Sequence, residues 1–191
     1  MDIGHQMYAL CERLFPICRS ITGDGVRETL GILQEIVPDM TVHEVPTGTQ
    51  VFDWTVPKEW NIRDAWIKNS RGEKILDFQK TNLHVVGYSL PVDKKVTLDE
   101  LLPLIYTQPD QPEVIPYVTS YYKERYGFCM TQRQKDALRD DTYHIYIDST
   151  LKKGSLTYGE ILIPSTEGAE DEIFLSTYVC HPSMANNELS G

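Results

Sequence analysis

The chain has 191 residues and is 41% hydrophobic and 24% charged, which is ordinary for a globular protein. Its formal net charge of -10 argues against a surface that binds nucleic-acid phosphates. No apolar run approaches the ~20 residues of a membrane span and no signal peptide is visible, so we expect a cytoplasmic protein without membrane contact. The four cysteines are too few and too scattered for a disulfide framework or a zinc ribbon.

The N-terminal part of the chain predicts two helices and a strand. Residues 5–15 carry apolar side chains at helical spacing and predict the first helix. A second helix is predicted after the turn at residues 22–25, where Thr22 or Asp24 would cap it. Residues 40–45 alternate in the manner of a short strand. This order is a reasonable opening for an α/β domain.

The middle of the chain has a different pattern, with short β-like runs separated by turn residues. The predicted runs are residues 51–56, 64–68, 74–78, 83–88 and 142–148. Two short helices are indicated by capping boxes, at Thr97 with Glu100 and at Thr131 with Gln134. We infer that a mostly β domain at residues 46–150 is inserted between two pieces of one α/β domain.

The two pieces of the α/β domain are residues 1–45 and 151–191. Residues 158–163 and 173–179 predict two antiparallel strands, the second of them buried. His181 then lies where the second strand leaves its sheet, and a polar turn follows. Because chemistry in α/β sheets collects at the carboxyl ends of strands, this histidine is a candidate for half of a metal site.

Residues 180–191, Cys-His-Pro-Ser-Met-Ala-Asn-Asn-Glu-Leu-Ser-Gly, resemble the first metal-ligand segment of the zinc aminopeptidases that include secreted leucine aminopeptidases. More closely, they resemble a bacterial subfamily of polysaccharide-biosynthesis proteins with an aminopeptidase-like domain. Three further segments carry the same resemblance: FPICRSITGDGVRETL (15–30), VPKEWNIRDAWI (56–67) and TSYYKERYGFC (119–129). Together these segments reach over nearly the whole chain.

The resemblance implies a zinc site with one or two ions. His181 takes the position of a zinc ligand, and Asn187 takes that of the aspartate that bridges two ions. An amide oxygen carries no charge to offset the repulsion between cations, so one ion, a weakly held pair and no ion all remain open. Glu188 is an alternative ligand, and Ser183 stands where the family has an aspartate that orients the histidine.

The resemblance implies a zinc-dependent hydrolase that cleaves an amide or peptide bond and is linked to cell-surface polysaccharide metabolism. In that family the remaining ligands and the general base follow the Ser-Gly at which this chain stops. We therefore expect an incomplete zinc-aminopeptidase-type α/β domain, the N-terminal part of a longer protein, with no catalytic residue of its own and no activity alone. The expected substrate is a small peptide or another amide-bearing molecule. Composition leaves the oligomeric state open, a homo-oligomer included.

A second hypothesis is a catalytically degenerate module that binds a glycan or a protein. It rests on the aromatic and basic residues at positions 121–126, of which Tyr122 and Arg125 are the candidate contacts. Such clusters more often pack within the protein. His84, in an apolar run, is a further candidate for substrate binding, and its alternative role is that of a satisfied structural histidine.

Overall fold

The computed structural model describes residues 2–166, 168 and 171–183. The helices are α1 (Ile3–Leu14), α2 (Asp24–Gln34), α3 (Leu98–Leu101) and α4 (Gln132–Asp136). The strands are β1 (Thr41–Pro46), β2 (Gln50–Val51), β3 (Trp54–Thr55), β4 (Glu59–Lys68), β5 (Lys74–Asp77), β6 (Val92–Thr97), β7 (Ile105–Tyr106), β8 (Phe128–Cys129), β9 (Thr142–Lys152) and β10 (Ser155–Glu160). The chain forms two compact units, one from the described residues of 1–56 and 154–191 and the other from residues 57–153.

The two helices of the first unit pack on each other through their apolar faces. Leu14 of α1 and Ile32 of α2 are both buried in one cluster. The carboxylate of Asp2 caps α1 by accepting the backbone N–H of Gly4 at 2.7 Å. Both predicted helices are therefore confirmed, although the first begins earlier than expected.

The predicted cap of α2 is wrong. Gly23 occupies the N-cap position with a φ of 98° and provides no side-chain hydrogen bond. Asp24 lies inside the first turn instead, and its carboxylate accepts a hydrogen bond from Arg27 at 2.7 Å. A glycine is suited to this position because a left-handed φ costs it nothing.

The strands of the first unit pair differently from the prediction. β1 pairs antiparallel with β10, with Thr41 opposite Glu160 and Pro46 opposite Ser155. The predicted hairpin between residues 158–163 and 173–179 is therefore wrong, because β10 ends at Glu160 and its partner is β1.

Residues 173–179 form no strand among the described residues, and the expectation that they are buried is also wrong. Ile173 is 91% exposed, and Phe174 and Leu175 are each 88% exposed. An apolar run in the sequence indicates side chains that favour burial, but they are buried only where another part of the protein packs against them. Within the described part of the chain, only the end of this run finds one, where Val179 packs on a core formed by Val26, Leu30 and Met40.

The second unit is organised on a four-stranded antiparallel sheet in the order β5-β4-β9-β6. Its buried face comes from alternate residues, with Ala65 opposite Ile147 and Ile67 opposite Ile145. The residues between them face the other side of the sheet and are half-buried. Both predicted capping boxes, at Thr97 and Thr131, are confirmed.

Two of the predicted strands are wrong for the same physical reason. Within residues 51–56 the chain instead turns at Phe52 and Asp53, between the two-residue strands β2 and β3, with Phe52 at a φ of 52°. Residues 83–88 include part of a 3-10 turn (Asn82–His84) and isolated bridges, with Tyr88 at a φ of 67°. A left-handed φ ends an extended strand, and aromatic side chains give no local signal for it because they normally favour strands.

The architecture is a mixture of helices and small sheets, consistent with the predicted α/β class. That residues 46–150 are an insertion into a zinc-aminopeptidase-type domain stays a prediction. Among the described residues, no helix combines the length and apolar character that crossing a membrane would need.

Alanine substitutions at two glycines of α2 should have opposite effects on the stability of the protein. A Cβ at Gly25 would overlap the backbone carbonyl of Cys18, whereas a Cβ at Gly31 would meet nothing within 4 Å. We expect Gly25→Ala to lower the free energy of unfolding by roughly 1–3 kcal/mol through overpacking. Gly31→Ala should raise it by about 0.5–1 kcal/mol, because alanine loses less backbone entropy in a helix. Urea unfolding followed by circular dichroism measures both, and equal effects would contradict the close approach of α2 to Cys18.

Candidate functional site

The segment that carries His181 lies against the helices of the first unit. Val179 contacts the core beside α2, Pro182 is buried, and His181 and Ser183 are half-buried. The segment is irregular, so β pairing does not hold it among the described residues. It is held instead by apolar contacts on either side of His181 and by a hydrogen bond to the His181 backbone.

The donor of that hydrogen bond is Arg19, which is only 2% exposed. Its Nε donates to the backbone carbonyl of His181 at 3.0 Å, and its Nη1 donates to the carbonyl of Leu14 at 2.7 Å. A buried guanidinium is costly unless its N–H groups are satisfied, so these bonds fix the relative position of the end of α1 and the His181 backbone.

Ser183 lies beside the imidazole of His181, and its predicted role in orienting that ring stays a prediction. Its backbone N–H donates to Nδ1 of His181 at 3.2 Å, and its hydroxyl oxygen lies 3.4 Å from the same nitrogen. When Nδ1 accepts the backbone N–H, a neutral ring carries its proton on Nε2. A metal bound through Nε2 requires the other tautomer, in which Nδ1 donates and the Ser183 hydroxyl is the acceptor. The two arrangements compete for one nitrogen.

The described residues do not by themselves fit a zinc ion. A protein zinc site takes three or four side-chain ligands. Among residues 2–166, 168 and 171–183, no three His, Cys, Asp or Glu side chains lie close enough together to hold a metal. His181 is the ligand candidate within this part, while Asn187 and Glu188 lie outside the described residues. The assignment of all three as ligands stays a prediction.

The thiols with resolved pKa shifts are unsuited to nucleophilic chemistry. Burial raises the pKa of Cys18, next to Arg19 in the chain, to about 12, and it raises the pKa of Cys129 to about 12 as well. At neutral pH both groups are therefore protonated, and the thiol is a poor nucleophile compared with the thiolate. These two cysteines belong to the packing of the protein.

The aromatic and basic cluster at residues 121–126 does not converge on one point. The Nη1 of Arg125 donates to the hydroxyl of Tyr106 at 3.0 Å, and its guanidinium lies 5.4 Å from the centre of that ring. Tyr121 packs edge-on against Tyr88, with ring centres 5.1 Å apart. Tyr122 is 61% exposed. Arg125 is thus engaged within the second unit, and its role in substrate binding stays a prediction.

His84 is 6% exposed and lies in the 3-10 turn that replaces the expected strand. Its Nδ1 lies 2.8 Å from the carbonyl oxygen of Cys129, so Nδ1 carries the proton and donates it. Burial is the main cause that lowers the pKa of His84 below its ordinary value of 6.5. This is the environment of a neutral structural histidine, and a part in substrate binding stays untested.

Sequence reasoning missed Arg19 altogether. The residue lies in the FPICRSITG segment that supported the resemblance, but a single arginine in a loop carries no periodicity that distinguishes a buried cation from a solvated one. Its role depends on a contact with a residue 162 positions later in the chain. Only the folded structure brings the two together.

Comparisons with known proteins relate the chain to one family. A family described as "Domain of unknown function (DUF4910)" matches residues 8–191. A Clostridium acetobutylicum protein named "Putative polysaccharide biosynthesis protein with aminopeptidase-like domain" is 57% identical over 190 residues, which cover 100% of this chain and 43% of that protein. The crystal structure of a "putative peptidase" from the same species, at 2.37 Å resolution, has a TM-score of 0.92 and 57% identity, and the match covers 98% of this chain and 44% of that one.

The chain thus spans less than half the length of the relatives it matches. The resemblance to polysaccharide-biosynthesis proteins with an aminopeptidase-like domain is confirmed by the name of the relative. Membership of a zinc-hydrolase family stays a prediction.

The lowered pKa of His84 should make the stability of the protein depend on pH. Below about pH 6.5 the unfolded chain binds a proton at His84 that the folded chain does not bind, so the free energy of unfolding falls as the pH falls from that value towards the lowered folded pKa. His84→Asn keeps an N–H donor for the Cys129 carbonyl and removes this proton. We expect the loss of stability between about pH 7.5 and about pH 5.5 to be smaller in the variant, measured by urea unfolding. The other histidines are the same in both proteins, and an unchanged pH dependence would contradict the burial of His84.

Replacement of Arg19 should lower both the stability of the protein and the local order of the segment around His181. Arg19→Met removes the side-chain donor to the part-buried carbonyl of His181 and a donor to the carbonyl of Leu14, which keeps the backbone N–H of Ile17. We expect the free energy of unfolding to fall by roughly 1–3 kcal/mol. Amide hydrogen exchange at Cys180 and Ser183 should become faster than elsewhere in the first unit. The matched control is Arg13→Met, which breaks an exposed ion pair with Glu35 and should have little effect on either measurement. If the two variants behave alike, Arg19 does not anchor the segment.

Proposed function

The chain belongs to the family described as a domain of unknown function (DUF4910), and from that membership we propose that it is the N-terminal part of a zinc-dependent peptidase-type hydrolase to which His181 contributes a ligand. The names of the matching proteins support the hydrolase class, since one contains an aminopeptidase-like domain and the other is called a peptidase. The amide or peptide substrate and the connection with cell-surface polysaccharides are part of this proposal.

The observation that carries the proposal is the way the His181 backbone is held. Its carbonyl accepts a hydrogen bond from the buried Arg19, and the neighbouring Pro182 is buried, while the His181 side chain remains half-exposed. A metal ligand whose backbone is already fixed loses less conformational entropy when the ion binds, which raises the affinity. The fixed His181 backbone with a partly accessible imidazole has this advantage.

The remaining ligands in this proposal come from outside the described residues. Asn187 and Glu188 are the nearest candidates in sequence, and the other ligands would come from the part of the longer relatives that this chain does not match. Ser183 would accept the Nδ1 proton of His181 and thereby direct Nε2 towards the ion. When bound, zinc would act as a Lewis acid that polarises an amide carbonyl.

The exposed apolar run supports the view that this chain functions within a longer protein. Ile173, Phe174 and Leu175 are among the most exposed hydrophobic side chains of the described part. Contiguous apolar surface of this kind mostly marks an interaction surface. We propose that the C-terminal portion of the full-length protein covers this run, which would place His181 next to the missing ligands. A cytoplasmic location and a homo-oligomeric state remain predictions.

The proposal predicts stoichiometric zinc in the full-length protein. Metal analysis by plasma mass spectrometry should find at least one zinc ion per chain in the purified wild type and a large loss in His181→Ala. His43→Ala is the matched control, because His43 is also partly exposed and hydrogen-bonds one acid, Glu160, at 3.1 Å. Zinc content should be unaffected in this control.

Absence of zinc from the wild-type protein, or equal zinc in the His181 variant, would overturn the proposal. The 191-residue chain should bind zinc much more weakly than the full-length protein, because the described residues provide a single ligand candidate. Hydrolysis of amino-acid anilides by the full-length protein then tests the reaction class.

A further inference from the structure

The second unit contains a groove that takes no part in the site around His181. It has a volume of about 280 Å³ and lies along the pair of strands β6 and β9. Its lining consists of Pro91, Val92, Asp93, Tyr146, Ile147 and Asp148. This volume is just below the ~300–1,000 Å³ typical of small-molecule sites, which favours a single ring over a larger ligand.

The aromatic wall of the groove is fixed from behind. Tyr146 lies opposite Trp66 on β4 and opposite Asp93 on β6. One face of the Tyr146 ring stacks on Trp66, with ring centres 4.9 Å apart and an angle of 20° between the planes. The other face of the ring is therefore turned towards β6 and the groove. A half-buried tyrosine held in this way presents a flat apolar surface with little conformational freedom left to lose on binding.

The two carboxylates of the groove are also held in place. Asp148 accepts two hydrogen bonds from Arg63, at 2.8 and 2.6 Å. Asp93 is joined to Nε2 of His144 at 2.6 Å. A carboxylate has about four acceptor positions, so each retains capacity for further donors after these contacts. Hydroxyl groups of a ligand could therefore be bound by acceptors that do not need to be reoriented.

We propose that this groove binds a neutral pyranose ring of an oligosaccharide. A pyranose has an apolar face of C–H groups and a rim of hydroxyl donors, and the groove offers a fixed tyrosine face and apolar Pro91 and Val92 beside two fixed carboxylates. A cross-strand aromatic pair alone would be explained by sheet stability. The sheet pair does not require the groove or the two carboxylates that line it.

The acidic side chains that line the groove favour neutral sugars over anionic ones. Asp93 and Asp148 both line it and no lysine or arginine does, while the guanidinium of Arg63 is already bound to Asp148. The carboxylate of a uronate would therefore meet carboxylate oxygens in the groove and no lining cation. A neutral sugar loses nothing from them. The inference is independent of the zinc proposal, because all of these residues belong to the second unit.

The test uses the 191-residue chain with cellotetraose, chitotetraose and mannotetraose as neutral probes and tetragalacturonate as the anionic probe. Saturation-transfer NMR detects weak contacts, and titration gives the affinity. We expect at least one neutral probe to bind, tetragalacturonate to bind at least about tenfold more weakly, and Tyr146→Ala to weaken binding of the neutral probe about tenfold. Tyr146→Phe keeps the stacking surface and should stay within a few-fold of the wild type.

The matched control is Tyr158→Ala in the first unit. Tyr158 is also a strand tyrosine stacked on another ring, that of His43 with ring centres 4.9 Å apart, but it does not line the groove. This variant should bind the sugar like the wild type. The inference is overturned if no neutral probe binds, if Tyr146→Ala binds as well as Tyr158→Ala, or if tetragalacturonate binds as tightly as the neutral sugars. If Tyr146→Ala fails to fold, Asp93→Asn is the deciding variant. It should reduce the ratio between the affinities for the neutral probe and for tetragalacturonate, and an unchanged ratio would overturn the inference.

Discussion

Arg19 places a positive charge almost entirely out of water, and its hydrogen bonds join the nearby end of α1 to the distant backbone of His181. The carbonyls of Leu14 and His181 both accept from this guanidinium. Since a buried cation without acceptors would be strongly unfavourable, the end of α1 and the His181 backbone must stay where they are for the first unit to be stable. Gly25 contributes to the same arrangement, because its missing Cβ allows α2 to approach the backbone at Cys18.

This constraint explains how a segment without β pairing can still hold a candidate ligand in position. The run that precedes His181 is apolar and exposed in the described part of the chain, and it orders near its end, where Val179 reaches the core of the first unit. The buried charge of Arg19 and the apolar contact of Val179 with the core therefore help to position the His181 backbone. Its side chain stays partly accessible, which is what a ligand shared with another portion of a longer protein would need.

The two faces of the main sheet in the second unit differ, since one is buried in the core and the other carries the proposed sugar-binding groove. Alternate residues of β4 and β9 form the buried face, and the opposite face presents Trp66 and Tyr146. A buried serine, Ser89, joins the surrounding loops to this sheet, because its carbonyl accepts from Trp60 at 2.9 Å and from Ser149 at 2.7 Å. These hydrogen bonds connect β4 and β9 to the same loop residue. The same two strands carry the stacked Trp66 and Tyr146 on the opposite face.

Local features were predictable from the sequence and long-range ones were not. The two N-terminal helices, the capping boxes at Thr97 and Thr131 and most of β1 and β9 follow from spacing and from hydrogen bonds between near neighbours. The failures at Phe52 and Tyr88 come from left-handed backbone angles that aromatic residues seldom adopt. His181 was recognisable as a candidate from its place after an apolar run, but its anchor, Arg19, was not.

The sequence by itself determined the helices, the alternating sheet faces and the family, because each of these depends on the type and spacing of residues. Tertiary structure alone decided that β10 pairs with β1, that Arg19 holds the His181 backbone, and that Tyr146 stacks on Trp66 in a groove lined by Asp93 and Asp148. The physical reason is that the position and role of a buried charge or a stacked ring depend on the groups it contacts. These groups are up to 162 positions away in the chain.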